Sequence, residues 1–356
     1  MNQIDSYIPT DLTATDLEAL EIELAELLTR RRFIIGAGGL LGAAALGACG
    51  ASNETADSSV TTGATRTFTD DVGRTVEVPA NPQRIVALTD SNAGAQVLSL
   101  DVPLVGLATR EGAITPGIAK VYDVEMVKGV GEYGSPNIEA ITMLKPDLIV
   151  AAAWQGKPEF GVEDGVNAKI EAIAPTVYID AYTDLDQTMA RYGELLGHED
   201  KVAMQRQAYE QRVAQIRETL GDARERLTVS VVLANSTGNV DTIGEGWWAI
   251  GKALEDLGIA RPVNQAKGST AGDEGYAQVS VEKLPEFDAD VILFSPNGYD
   301  PRENVLFKNL SGVQADQAYE FIDEYWNGAY PDMQKVLDEL ERILIANKVN
   351  VDVVME

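Results

Sequence analysis

The chain has 356 residues and a formal net charge of −28, with 28 basic against 56 acidic side chains, one cysteine and one histidine. This balance excludes a nucleic-acid binder, since phosphate contact needs clustered lysine and arginine and no basic stripe occurs. A single cysteine excludes an intramolecular disulfide and a cysteine-built metal cluster, and the lone His198 gives no basis for a histidine-rich metal site.

Residues 1–28 form an acidic extension in which EALEIELAEL has the period of a short amphipathic helix. In residues 29–48 three arginines stand before sixteen uncharged residues, Phe33 to Ala48, and Cys49 follows. That run is shorter than the ~20 apolar residues a spanning helix needs. Its order of charge, apolar stretch and small residues is that of an export signal. TRRRFII, with Thr29, Arg30, Arg31 and Phe33, resembles a twin-arginine signal, and Leu46-Gly47-Ala48-Cys49 resembles a bacterial lipobox. The resemblance implies that Cys49 becomes the first mature residue and carries the lipid anchor. Residues 49–66, rich in Ser, Thr, Gly and Ala, read as a flexible tether.

A first lobe is expected over residues 67–183. FTDDVGRTVEVP alternates around Asp71-Val72-Gly73 as a small hairpin. RIVAL and PLVGLATR read as strands around a helix, and GSPNIEAITMLK as a helix capped by Ser135, with Pro136 at its first position. DLIVAAA is a continuous apolar run, as in a strand buried on both faces of a parallel sheet. AKIEAIAPTVYID adds a helix and a strand, so the order is that of an α/β fold. Residues 184–226 carry only helical period. EDKVAMQRQAYEQRVAQIRETLG is about 22 residues of helix, roughly 33 Å long, with Val202, Tyr209, Val213, Ile216 and Leu220 near one face.

The plan then restarts over residues 227–356, with LTVSVVLA as a strand, GWWAIGKALEDLG as a helix, and VSVEKLPEFDADVILFSP echoing the earlier block. Glu139 precedes Asp147 as Glu282 precedes Asp290, and each Asp opens an apolar strand. This is an internal repeat at the scale of a lobe. The expected fold is therefore α/β: two similar lobes, each a mostly parallel sheet with flanking helices, joined by one long rigid helix with a ligand cleft between them.

DVGRTVEVPANPQRIVAL, VGEYGSPNIEAITMLKPDLIVAA and VSVEKLPEFDADVIL together resemble the periplasmic-binding-protein family that serves iron–siderophore, haem and vitamin B12 ABC importers. The likeness runs from about Phe68 to the C-terminal helix. It implies two lobes bridged by a rigid helix, a permease and ATPase as partners, and a carboxylate on each lobe, Glu139 and Glu282 here, that docks on permease arginines. A helix start favours a carboxylate on its own account, so that placement is not specific by itself. The resemblance further implies a monomer, lipid-anchored on the outer face of the cell membrane.

Ligands of two-lobed α/β proteins lie past the carboxyl ends of strands. The candidate ligand residues there are Arg110, Tyr133, Trp154, Trp247, Trp248, Tyr276, Tyr299 and Arg302. An anionic ferric chelate suits arginine hydrogen bonds and flat aromatic packing. Trp247 and Trp248 are adjacent and point about 100° apart on a helix, so one faces the core. The expected cargo is a ferric siderophore, with haem and cobalamin as alternatives, and no cofactor is expected beyond the lipid on Cys49. A metal-chelate enzyme or extracellular hydrolase is the alternative of another class. No G-x-S-x-G, Walker A, H-E-x-x-H or catalytic clustering supports it, so no chemistry is expected. GVGEYG matches a dinucleotide fingerprint but lacks direct entry into a helix.

Overall fold

The computed structural model describes residues 64–109, 113–158, 165–181, 184–234, 238–244, 246, 248–265, 276–296, 299–321 and 328–353. The acidic extension, the export signal, Cys49 and nearly all of the tether lie outside them. The described residues form one compact unit within Thr61–Glu356.

Strands β1 (Thr65–Thr69) and β2 (Thr75–Pro79) pair antiparallel. Asp70 closes their turn by accepting the Arg74 backbone N–H at 2.7 Å and its Nε at 3.0 Å. β1 starts two residues ahead of the expected lobe boundary because Arg66 is anchored, its guanidinium donating to the carbonyls of Glu194 and Leu195.

The first lobe continues with β3 (Ile85–Ala87), α1 (Ala95–Ser99), β4 (Leu104–Thr109), α2 (Pro116–Val121), β5 (Lys128–Glu132), β6 (Ser135–Pro136), α3 (Ile138–Leu144), β7 (Leu148–Trp154), β8 (Lys157–Pro158), α4 (Val166–Glu171) and β9 (Thr176–Asp180). Five strands, in the order β5-β4-β3-β7-β9, are parallel, and β6 and β8 are short antiparallel returns on the outside of β5 and on β7. β7 is buried along all but its last residue, as its unbroken apolar run requires.

α5 (Leu185–Leu196) and α6 (Glu199–Leu220) follow, then α7 (Ala223–Arg226). Asp184 caps α5 by accepting the Asp186 N–H at 2.8 Å. α6 buries Val202, Tyr209, Val213, Ile216 and Leu220, the face read from the sequence.

The second lobe holds β10 (Val229–Ala234), β11 (Asn239–Ile243), α8 (Trp248–Leu257), β12 (Tyr276–Ser280), a 3-10 helix Val281–Phe287, β13 (Val291–Pro296), a 3-10 turn Pro301–Glu303, α9 (Val305–Lys308), α10 (Ser311–Gln314), β14 (Ala318–Glu320) and α11 (Tyr330–Val353). Its sheet order is β12-β11-β10-β13-β14. β10, β13 and β14 are parallel, and β11 alone runs against them; β12, antiparallel to β11, again runs with β10, so four of the five strands share one direction. The segment after β10 turns straight back as β11 instead of crossing over through a helix.

The repeat is visible in its bonds. Asp147, ahead of β7, accepts the backbone N–H groups of Gln83 at 2.7 Å and Arg84 at 2.9 Å, just before β3. Asp290, ahead of β13, accepts the N–H of Thr228 at 2.8 Å and its hydroxyl at 2.6 Å, just before β10. In both lobes a carboxylate fastens the starts of two central parallel strands, and the two pairs lie in separate sheets.

α11 joins the second lobe to the first. Its third residue, Asp332, is 2% exposed. One oxygen of Asp332 accepts both the Ala329 N–H at 2.8 Å and the Tyr122 hydroxyl at 2.5 Å, from the first lobe. The reach back to Ala329 is the carboxylate half of a capping box. Gln96 adds a bond to the Gly328 carbonyl at 3.3 Å.

Burial pushes the Asp332 carboxyl up to about 6, although its hydrogen bonds from Tyr122 and Ala329 pull it down. In the unfolded chain an Asp titrates near about 3.9, so between about pH 4 and 6 the folded state holds the extra proton. This group therefore favours folding most below pH 4, and the advantage fades as pH rises through 6. At neutral pH it costs on the order of 3 kcal/mol against an unshifted carboxylate. Asp332→Asn keeps an oxygen for both donors and removes the charge. Thermal melts should show it more stable than the parent by a few degrees at pH 7.5, with the difference vanishing at pH 4.

Candidate functional site

In the first lobe the carboxyl ends of the five parallel strands share one edge. β5 ends at Glu132, and a two-residue turn, Tyr133-Gly134, leads into β6. The turn is held by the Tyr133 N–H donating to the Thr109 carbonyl at 2.9 Å, at the end of β4. This puts Tyr133, half-buried, beside the end of β4. Trp154, also half-buried, ends β7 on the same edge. Arg110 is the residue after β4 and lies outside the described residues.

The glycines of GVGEYG serve this turn. Gly131 sits at φ +103°, where a Cβ would stand 2.5 Å from the Asn137 nitrogen and 2.8 Å from the Ser135 carbonyl. The close approach lets the Asn137 N–H donate to the Val130 carbonyl at 2.7 Å. Helix α3 is thereby launched one residue pair later than the sequence suggests. Ser135 and Pro136 are strand residues, and the cap is Asn137, whose side chain accepts the Ala140 N–H at 3.0 Å. Glu139 is the second residue of α3 and is exposed.

The second lobe places Glu282 in a matching way. It is exposed and is the second residue of the 3-10 helix, after Ser280, whose hydroxyl accepts the Glu282 N–H at 3.4 Å. Pro285 within this segment keeps it from becoming an α-helix. Neither Glu139 nor Glu282 has an ion-pair partner among the described residues. Other carboxylates are matched, for instance Asp70 and Glu171 with Arg74, and Asp338 and Glu341 with Arg212.

Toward the carboxyl edge of the second sheet lies a shallow, open apolar recess. It is lined by Trp248 and Ile250 of α8, Leu233 of β10, Phe294 and Ser295 of β13, and Phe321 after β14, among others. Trp248 opens α8 at φ +53°, a left-handed value uncommon for a bulky residue. Trp247 lies outside the described residues. Neither Phe294, within the strand VILFSP, nor Phe321 is among the residues that the sequence singles out.

Tyr299, half-buried, follows β13 at the same edge. Arg302 stands nearby with its charge engaged. Its Nε donates to both oxygens of Asp300 at 2.9 and 3.0 Å, and its Nη1 lies 3.1 Å from Glu320. The guanidinium rests over the Phe294 ring at 5.3 Å. Its hydrogen bond holds the Asp300 carboxyl below the ordinary range. Arg302 thus stands in a solvent-exposed ion pair with Asp300 and Glu320. The backbone of Tyr276 opens β12 opposite Ile243, one residue beyond Thr242, which pairs with Val232. That level lies short of the carboxyl edge reached by Ala234, so Tyr276 is set apart from Tyr299 along the sheet.

Comparison with known proteins fits this geometry. The profile of the periplasmic binding protein family matches residues 99–323, more than half of the chain. The chain belongs to this family. Among curated relatives, a probable siderophore-binding lipoprotein of Bacillus subtilis, YfiY, is 29% identical over 326 residues, covering 87% of this chain and 97% of its own. The iron(3+)-hydroxamate-binding protein FhuD of the same organism is 28% identical, covering 79% of this chain and 87% of its own. Among solved structures, Staphylococcus aureus SirA complexed with staphyloferrin B superposes with a TM-score of 0.63 at 27% identity, over 79% of this chain and 98% of that one. The FhuD protein of S. pseudintermedius shares the fold at a TM-score of 0.65 and 21% identity, over 80% and 99% of the two chains. Two α/β lobes joined by α6 are thus a periplasmic-binding-protein architecture.

Gly131→Ala should test the turn that sets both Tyr133 and Glu139. A positive φ and a backbone clash together predict a loss of more than about 1 kcal/mol in denaturant unfolding. Gly129→Ala, where a Cβ meets nothing within 4 Å, should cost less.

Proposed function

We propose that this chain is the substrate-binding lipoprotein of an ABC importer, capturing a ferric siderophore between its lobes and handing it to the permease. The carrying observation is that siderophore-binding relatives match nearly the whole folded chain, while aromatic side chains gather at the carboxyl edges of both sheets. Trp154 and Tyr133 come from one lobe, and Trp248, Phe294, Phe321 and Tyr299 from the other. Flat rings of this kind pack on the organic rim of a chelate. Charge for an anionic chelate would come from Arg110 rather than from the paired Arg302. The protein performs no chemistry on its cargo.

In this reading the chain is exported through the twin-arginine signal and held by lipid on Cys49, outside the cell membrane. Glu139 and Glu282, exposed and without salt-bridge partners, are the contacts to arginines of the permease, whose ATPase drives release and import. Closure on the ligand is small, because a continuous 22-residue helix offers no hinge loop.

Titration of tryptophan fluorescence tests the cargo. A ferric hydroxamate, catecholate or carboxylate siderophore should quench saturably, and haem and cobalamin should not. Quenching by haem or cobalamin alone, or by no compound, would refute the siderophore assignment. Separately, the Glu139→Ala, Glu282→Ala double variant should bind its ligand with parental affinity yet lose uptake. Weakened ligand binding would instead put these carboxylates in the cleft.

A further inference from the structure

Five large hydrophobic side chains stand well exposed among the described residues: Met126, Met143, Met204, Val263 and Val305. Met143 lies on the helix of Glu139, and Val305 and Val263 lie on segments that pack on or bond to the 3-10 helix carrying Glu282. Met143 is 70% exposed and follows Glu139 by four residues on α3, so the two share a face. In the second lobe Val305, 66% exposed, opens α9, which packs on the 3-10 helix carrying Glu282. Val263, 85% exposed, adjoins Asn264, whose amide donates to Glu286 of that 3-10 helix at 3.1 Å. The inward faces of the two segments are alike, since Ile141 and Leu284, equivalent in the repeat, are fully buried. The outward apolar groups are therefore not remnants of poor packing. Each tip carries a carboxylate with no ion-pair partner among the described residues, and an exposed apolar side chain on the same helix or on one packed against it.

We propose that Met143 on one tip and Val305 with Val263 on the other are contact residues for the permease, seated against apolar rims around its docking cations. This rests on the importer reading above. A carboxylate–guanidinium pair in open water is screened and contributes little. Ringed by apolar atoms that exclude water, the same pair attracts more strongly and is less sensitive to salt. An acidic group with a bare apolar neighbour selects a partner surface that is cationic and greasy together, which neither a lipid headgroup layer nor a polyanion supplies.

The test uses the mature lipoprotein, loaded with ligand, and its permease–ATPase complex in proteoliposomes. The readout is the concentration giving half-maximal ATPase stimulation, at low and high salt. Met143→Gln and Val305→Thr should each raise it about fivefold, with a steeper salt dependence, while ligand affinity stays unchanged. Met204→Gln, an equally exposed methionine on α6, should match the parent. If Met143→Gln and Val305→Thr match the parent while Glu139→Ala and Glu282→Ala abolish stimulation, the apolar contacts are refuted and the docking reading stands. If the glutamate variants also match the parent, the docking reading itself fails.

Discussion

Helix α6 is bonded to both lobes, and the relative placement of everything else follows from that. Near its start Lys201 pairs with Asp101 and Gln205 donates to the Ser99 carbonyl at 2.7 Å, both in the first lobe. One turn on, the Tyr209 hydroxyl donates to Asp256 of α8 at 2.7 Å, and Arg212 grips Glu341 of α11. Asp186 of α5 ties the seam by accepting the Tyr330 hydroxyl at 2.5 Å while lying 3.1 Å from Arg206. Burial pulls the Lys252 ammonium down, but Asp256, Asp186 and Asp184 outweigh it and keep the charge. The seam is therefore a set of mutually satisfied charges and hydroxyls laid over one apolar cluster that includes residues of both lobes. Asp101 and Arg206 are solvent-exposed, so the joint is held chiefly by the apolar cluster and the hydroxyl bonds of the buried Tyr209 and Tyr330 rather than by these charges.

Much of this was legible because the segments concerned have a strong period or a long apolar run. α6 showed its buried face in the spacing of Val202, Tyr209, Val213, Ile216 and Leu220. β7 showed its burial in a run with no polar interruption before Trp154, and β10 in one broken only by Ser230. Asp147 and Asp290 revealed the repeat because both do the same work, fastening two strand starts. What escaped reading was local geometry decided by contacts far along the chain. Ser135 and Pro136 have the chemistry of a helix entry, but Gly131 lets the backbone fold against them as a strand, so the cap moves to Asn137. β11 is short and follows a polar segment, and nothing in Asn239–Ile243 says that it will return antiparallel to β10. The segment carrying Glu282 looked like the one carrying Glu139, yet with Pro285 inside it forms a 3-10 helix.

Site residues were harder, for a physical reason. A strand end can be recognised, but the partner of a side chain beyond it depends on the loop that follows. Arg302 carried the right chemistry at the right place, and the structure pairs it with Asp300 and Glu320. Tyr276 was aromatic and near glycines, but it opens β12, which runs with β10, so its backbone lies below the carboxyl edge. Phe321 and Phe294 went unnoticed because an apolar residue at a strand end is ordinary until the neighbouring helix leaves a recess above it. The edge positions that agreed with the reading, Tyr133, Trp154 and Tyr299, are those whose place depends only on where a strand stops.

A stiff bridge also gives the two tips a purpose that flexible lobes would not serve. Glu139 and Glu282 hang on equivalent segments of a repeat whose copies are fixed by α6, so the span between them changes little with what lies in the cleft. A partner that binds both carboxylates gains the second contact intramolecularly, at an effective concentration set by that fixed span. Two weak, exposed contacts can then act as one specific one, while either alone would be too weak to hold. The loops at the cleft edge are free to change with the cargo, because the recognised span is set by strand-to-helix turns and the rod. The aromatic strand ends and the tips carrying Glu139 and Glu282 thus lie in separate parts of one fold, joined through the seam around Asp186, Tyr209 and Tyr330.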